Sequence, residues 1–168
     1  MMTGADSYKI KKVNIICSKG TAEDVYAALI LGNGAVMEGI ECNLFFTFYG
    51  IDTLIKERMD KIHSAAVGNP ALRLSKRIRL PTILGSLPGM EAIISRQMKR
   101  EMNRIDVPPV SEFLELIASG GGKIYVCKLA IDMFKIKKEE LTGLVSDIIT
   151  VGDFYGLAGG EGSQIIFI

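Results

Sequence analysis

Gly120-Gly121-Gly122-Lys123-Ile124-Tyr125-Val126-Cys127-Lys128-Leu129-Ala130-Ile131-Asp132 reads as a glycine-stopped turn, a short buried strand, and a cysteine where that strand yields to a helix. A thiol at such a junction sits over the exposed N–H groups of the first helical turn, whose dipoles favour the thiolate, the reactive form of the side chain. Lys128 adds positive charge next to it in sequence. Free cysteine is also among the most buried residue types, so the junction alone leaves a reactive thiol and a core thiol both open.

Outward from this stretch the same rhythm repeats. Val13 to Cys17 is a compact apolar strand. Thr21 is a good helix N-cap, followed by Glu23 and Asp24 where the helix dipole favours acids. Val25, Leu29, Gly32 and Val36 recur at helical spacing, and Gly39 stops that helix. Cys42 to Tyr49 is a second strand, and a Gly50-Ile51-Asp52 turn leads into a charged helix over about 53–62. Ser111 caps a helix carrying Phe113, Leu114 and Ile117, stopped by the glycine triplet. Lys123 to Cys127 is the third strand, with a short helix over Lys128 to Phe134 and another helical turn or two from Lys138. Asp147 to Val151 is the fourth strand, Asp153 caps a glycine-loosened helix, and the almost wholly apolar Gln164 to Ile168 is a fifth strand of the kind buried on both faces. Strand–helix–strand order with long crossovers means parallel pairing. The expected fold is α/β: one domain over 1–168, an open doubly wound parallel sheet of about five strands in the flavodoxin-like order 2-1-3-4-5.

Residues 64–110 interrupt that rhythm. Pro70, Pro81, Pro88-Gly89 and Pro108-Pro109 rule out one long helix, while Glu91 to Arg104 reads as helical with Ile94, Met98, Met102 and Ile105 on one stripe. From Arg73 to Arg104 eight Lys or Arg stand against two Glu. The stripe is expected to pack on protein rather than lipid, and the segment to cover a site or join subunits.

Composition narrows the function classes. The 168 residues are 48% hydrophobic with a formal net charge of +1, which gives no mandate to bind nucleic acid. Mean hydropathy is +0.28, and with no apolar run near the ~18 residues of a spanning helix, subunit contacts are the expected outlet. The polar, lysine-bearing start has no apolar core of a signal peptide. Three cysteines, Cys17, Cys42 and Cys127, are an odd count without metal-like spacing, which suits a reducing cytoplasm and no metal site. Walker A, G-x-G-x-x-G after a strand, G-x-S-x-G and HExxH patterns are all absent. His63, the lone histidine, follows a charged stretch and reads as a solvated helix end. Cys17-Ser18-Lys19-Gly20-Thr21 faintly resembles a phosphate loop but has one glycine, and a plain capped turn suits it better. In the order 2-1-3-4-5, Cys17 and Cys127 would end neighbouring strands ~4.8 Å apart, within range of a relay or disulfide. Cys42, at the opposite end of the sheet, is expected to be inert.

The residues resemble the DsrE/DsrF-like sulfur-relay family, in its divergent branch with a long central insertion. The likeness rests on Ala27-Ala28-Leu29-Ile30-Leu31 with Gly32-Asn33-Gly34-Ala35, on Gly39-Ile40-Glu41, on Phe45-Phe46-Thr47-Phe48-Tyr49-Gly50 and on Leu87-Pro88-Gly89-Met90. The most specific stretch is Val126-Cys127-Lys128-Leu129-Ala130-Ile131-Asp132 followed by Ile136-Lys137-Lys138-Glu139-Glu140-Leu141. The resemblance implies a five-stranded parallel sheet, a trimer or hexamer, and no organic cofactor. It also implies a cysteine, here Cys127, that holds sulfane sulfur as a persulfide and passes it to a partner thiol, with rhodanese-type and TusA-like proteins as donors and acceptors. Lys128 and the helix N-terminus would hold the anion, and Tyr49 and Gly50 would wall the same crevice; Cys17 enters only through the strand-order argument. Whether turnover is catalytic, as in a persulfide-type sulfurtransferase, or stoichiometric is left open. Two rival readings are a small-molecule module binding a flavin or phosphate at Ser18 to Thr21, and an oligomeric scaffold or membrane-surface adaptor using the basic, methionine-bearing helix. Membrane contact is the less favoured.

Overall fold

The glycine triplet does what the sequence asks of it. Gly121 takes a left-handed φ of 93°, and a Cβ on Gly120 would lie 2.0 Å from Val36 Cγ1, so the turn needs glycine both to reverse and to let the helix pack. In a computed structural model that describes residues 10–65, 73–75, 78–79 and 89–168, the strand that follows is the second of a five-stranded parallel sheet, between an edge strand and the central one. The elements in chain order are β1 (Lys12–Cys17), α1 (Ala22–Met37), β2 (Glu41–Phe46), β3 (Arg73–Ser75), β4 (Ile78–Arg79), α2 (Met90–Arg104), α3 (Val110–Ser119), β5 (Lys123–Cys127), α4 (Lys128–Phe134), β6 (Asp147–Ile149), α5 (Val151–Ala158) and β7 (Ser163–Phe167). β3 and β4 form a separate antiparallel pair inside the insertion; Pro70, Pro81 and Pro88 lie outside the described residues.

The main sheet runs β6-β5-β2-β1-β7. The α/β class and five parallel strands are as expected, but the order is not: counted along the chain it is 4-3-2-1-5, so the first and third strands flank β2 instead of pairing. Three successive crossovers step the same way from β1 to β6, and the last returns the chain to the far side of β1. Right-handed crossovers then place the early helices on one face and α5 on the other. On the first face, Val13, Ile15, Cys17, Cys42, Leu44, Phe46, Ile124 and Val126 are all buried under α1 and α3. Gly32 lets α1 sit close there, since a Cβ would meet Leu44 Cδ2 at 3.1 Å and Ile117 Cδ1 at 3.3 Å. Each fully buried Leu or Ile in this layer contributes about 1.5–3 kcal/mol.

The opposite face is thinner. Phe45 stacks on Phe154 of α5 at 4.8 Å, and beside it runs a buried polar ladder. Asn43 Nδ2 donates to Asn14 Oδ1 at 3.0 Å, Asn14 Nδ2 donates to Ser163 Oγ at 2.9 Å, and Ser163 Oγ donates to the Ala158 carbonyl at 2.7 Å. Lys12 Nζ donates to the Leu157 carbonyl at 3.1 Å, so the ladder also satisfies the orphan carbonyls that end α5. β7 is an edge strand, not one buried on both faces: Ile165 is 51% and Phe167 69% exposed.

Several local expectations are corrected. The charged helix over 53–62 is absent; two 3₁₀ turns, Phe48–Leu54 and Met59–Lys61, stand there. β2 ends at Phe46 because Phe48 turns the chain with a φ of 45°. Thr21 holds the N-cap backbone position, but its hydroxyl bonds to the Asp24 carboxylate and caps no N–H. Pro109 is the residue before α3, while Ser111 bonds to Asp60. Thr150 is the N-cap of α5, in a capping box with Asp153 at N3.

Candidate functional site

Cys127 is the last residue of β5 and the N-cap residue of α4. Its register partner is Ile149, whose next residue, Thr150, caps α5, so the thiol lies at the carboxyl edge of the sheet where α4 and α5 both begin. Strand alternation puts Cys127 on the face of Tyr125 and Phe45, the face that α5 covers. It is a free thiol, 5% exposed. Exposed apolar side chains surround this edge in sequence and topology: Leu129 and Met133 on α4, Phe48 on the β2 loop, Val151 and Tyr155 on α5.

The other expected participants stand elsewhere. Lys128 Nζ lies 3.2 Å from Asp132 Oδ2, one helical turn on, so its charge is paired along α4. Gly50 packs against Cys17, not Cys127: a Cβ there would meet the Cys17 carbonyl oxygen at 2.3 Å. Tyr49 is exposed and rests its ring 5.9 Å from that of Phe134 at the end of α4. It also walls an open crevice of about 880 Å3 with Lys19, Gly20, Thr21 and Arg58.

Cys17 cannot join Cys127. β2 lies between their strands, giving a separation of roughly 9–10 Å across the ladder. Cys17 aligns with Phe46 and Val126, and therefore leaves the sheet on the face opposite Cys127. It is fully buried, donates to the Lys19 carbonyl at 3.5 Å, and burial pushes its thiol up to about 12, helped by the Asp24 charge. Burial likewise pushes Cys42 up to about 12.

The phosphate-loop reading of Ser18 to Thr21 meets its own helix. Ala22 N–H donates to the His63 carbonyl at 2.9 Å, and Asp24 occupies the first turn. With this strand order the topological switch falls between β1 and β7. Ser18 stitches that gap shut, its N–H at 2.8 Å and its hydroxyl at 3.0 Å both donating to the Ile168 carbonyl. His63 is exposed, as expected of a solvated position. Among the described residues no three His, Cys, Asp or Glu side chains are grouped to hold a metal, and no helix is long and apolar enough to cross a membrane.

One feature was not anticipated from the sequence: a cavity of about 470 Å3 between α2 and the α1–α3 layer, reached by Met98 and Met102. The Ile94, Met98, Met102 stripe was its signal. Ile94 is buried against protein, as expected, whereas Ile105 at the helix end is 73% exposed.

Comparison with known proteins agrees with this architecture. A model of the DsrE/DsrF/DrsH-like family matches residues 9–165. The chain is 31% identical to the sulfur carrier protein DsrE2 of Allochromatium vinosum over 132 residues, 77% of this chain and 82% of that one. It is 25% identical to the uncharacterized protein YrkE of Bacillus subtilis over 163 residues, 94% and 97% of the two chains. Among solved structures, the ychN protein of E. coli superposes with a TM-score of 0.54 at 13% identity, over 95% of this chain and all of that one. MTH1491 of Methanobacterium thermoautotrophicum, of unknown function, gives 0.54 at 11% identity over 94% and 98%. These two likenesses concern the fold.

Proposed function

Because the chain belongs to the DsrE/DsrF/DrsH-like family, we propose that it is a sulfur carrier working through Cys127. The observation that carries this reading is the position of that thiol, free and at the strand–helix junction where two helices begin at the carboxyl edge of the sheet. The 31% identical relative named as a sulfur carrier supports it. In the loading step the Cys127 thiolate attacks the outer sulfur of a donor persulfide. A new S–S bond forms at Cys127, the donor S–S bond breaks, and the donor thiolate leaves with the electron pair, so no net oxidation occurs. An acceptor thiolate reverses the sequence. Rhodanese-type and TusA-like proteins fit the donor and acceptor roles. The thiol lies just below the surface, so a partner must open the α4 edge to reach it, and a reducing compartment would keep it free.

A homo-oligomer, a trimer or hexamer as in the family resemblance, would cover apolar surface that one chain leaves open. Ile30, Leu31 and Met37 on α1 and Ile165 and Phe167 on β7 are all more than 40% exposed.

Intact-mass measurement after exposure to glutathione persulfide tests the carrier reading. The parent should gain sulfur that a reductant removes, and Cys127→Ser should gain none while keeping its fold. Equal loading of the serine variant would make Cys127 a packing residue.

A further inference from the structure

The cavity beneath α2 is separate from Cys127 and is built unlike the rest of the surface. Tyr26, Met98, Met102, Val107 and Val110 supply its apolar lining, and its volume of about 470 Å3 falls within the range of small-ligand sites. Lys61, Arg96 and Lys99 also line it, and among the described residues none of their charged side-chain groups has an ion-pair or hydrogen-bond partner. Arg104, one to two turns further along the same helix, is by contrast paired with Glu101 at 3.0 Å. The carboxylate within the lining, Asp60, is already engaged, accepting from Ser111 N–H at 3.1 Å and from the Ser111 hydroxyl at 2.8 Å. Three unpartnered cations thus line an apolar recess with one committed acid. Polar groups are also at hand: the Ser95 oxygen accepts from Ser64 N–H at 2.9 Å, which leaves its own proton free to donate.

We propose that this cavity binds an aliphatic monoanion, a flexible methylene tail lying on Tyr26, Met98 and Met102 with a carboxylate-type head held by Lys61, Arg96 and Lys99. Methionine is unbranched and polarizable, so it moulds to a flexible chain where branched or aromatic walls would demand one shape. Lys61, Arg96 and Lys99 are exposed at the mouth of the recess, where a neutral ligand would forgo their attraction. A nucleotide would set the polar edges of its base and ribose against the apolar floor of Tyr26, Met98 and Met102. This proposal does not depend on sulfur transfer at Cys127.

The test uses the full chain and a dansyl-labelled undecanoate, whose emission shifts to the blue in an apolar recess. Decanoate should displace the probe; decanol should do so about tenfold less well or worse, and decyltrimethylammonium not at all. The double variant Arg96→Glu/Lys99→Glu changes two exposed side chains and should weaken decanoate about tenfold or more, with decanol unchanged. Met98→Trp should fill the recess and remove both, and persulfide loading at Cys127 should stay at the parent level in each variant. The proposal is overturned if the parent gives no blue shift, if decanol and decanoate compete equally, or if the charge-reversed variant binds decanoate as the parent does. Binding to phosphatidylglycerol vesicles without binding to free decanoate would overturn it too, making α2 a membrane-contacting surface.

Discussion

Cys17 and Cys127 end strands separated by β2, and their side chains leave the sheet on opposite faces. A disulfide needs Cα atoms within ~7 Å, so mild oxidation should give no intramolecular link between them. Peptide mapping after oxidation checks this, and Cys17→Ala should load sulfur as the parent does. A Cys17–Cys127 peptide pair would contradict the strand order itself.

Lys128 spends its charge on Asp132, at the exposed side of α4. Asp132 offsets that charge and water screens it at this exposed position, so Lys128→Met should change the rate of sulfur loading by no more than about twofold. Stopped-flow loading kinetics would show a far larger drop if the ammonium instead stabilised the persulfide anion.

Two glycines should respond in opposite directions to the same substitution. Gly50→Ala drives a Cβ to within 2.3 Å of the Cys17 backbone oxygen and should cost about 2–3 kcal/mol or more. Gly34→Ala meets nothing within 4 Å in the last turn of α1 and should stabilise by roughly 0.5–1 kcal/mol. Thermal unfolding of the two variants reads both signs.

Alkaline pH should unfold the protein through its buried acids. Burial raises the Cys17 and Cys42 thiols from 9.0 to about 12, and also raises the Tyr26 and Tyr125 phenols. A group whose folded value lies above its unfolded one stabilises fully below the unfolded value, and that contribution fades as pH climbs toward the folded value. Denaturant midpoints should therefore hold steady up to about pH 8 and fall between roughly pH 9 and 12. A flat profile across that window would mean these thiols are not buried in solution.

The alternation of strands and helices was legible because each element carries its own local signal. The glycine triplet, the Val13–Cys17 run and the Cys127 junction all sit where the sequence places them. Strand order was not, since it is fixed by partners such as Asn14 with Ser163 and Ser18 with Ile168, each about 150 residues apart. The helix expected over about 53–62 rested on the charged character of the stretch. Thr53, Leu54 and Ile55 are buried in succession, however, and three consecutive inward residues do not fit one helical stripe. At the candidate site, the strand–helix junction that holds Cys127 was legible, whereas the i,i+4 spacing of Lys128 and Asp132 already carried the ion pair that the structure shows.

The Asn14–Ser163 link has a consequence for how the molecule is made. β1 is synthesised early, yet one of its two flanking ladders waits for β7, whose Ser163 is separated from Asn14 by 149 residues. While the chain is still growing on the ribosome, that edge of β1 and the buried Nδ2 group of Asn14 have no native partner, although Asn43 already satisfies the Asn14 oxygen. Long-range parallel pairings of this kind form slowly and leave an adhesive edge exposed meanwhile. Nascent chains stalled before Ser163 should be the ones that chaperones hold.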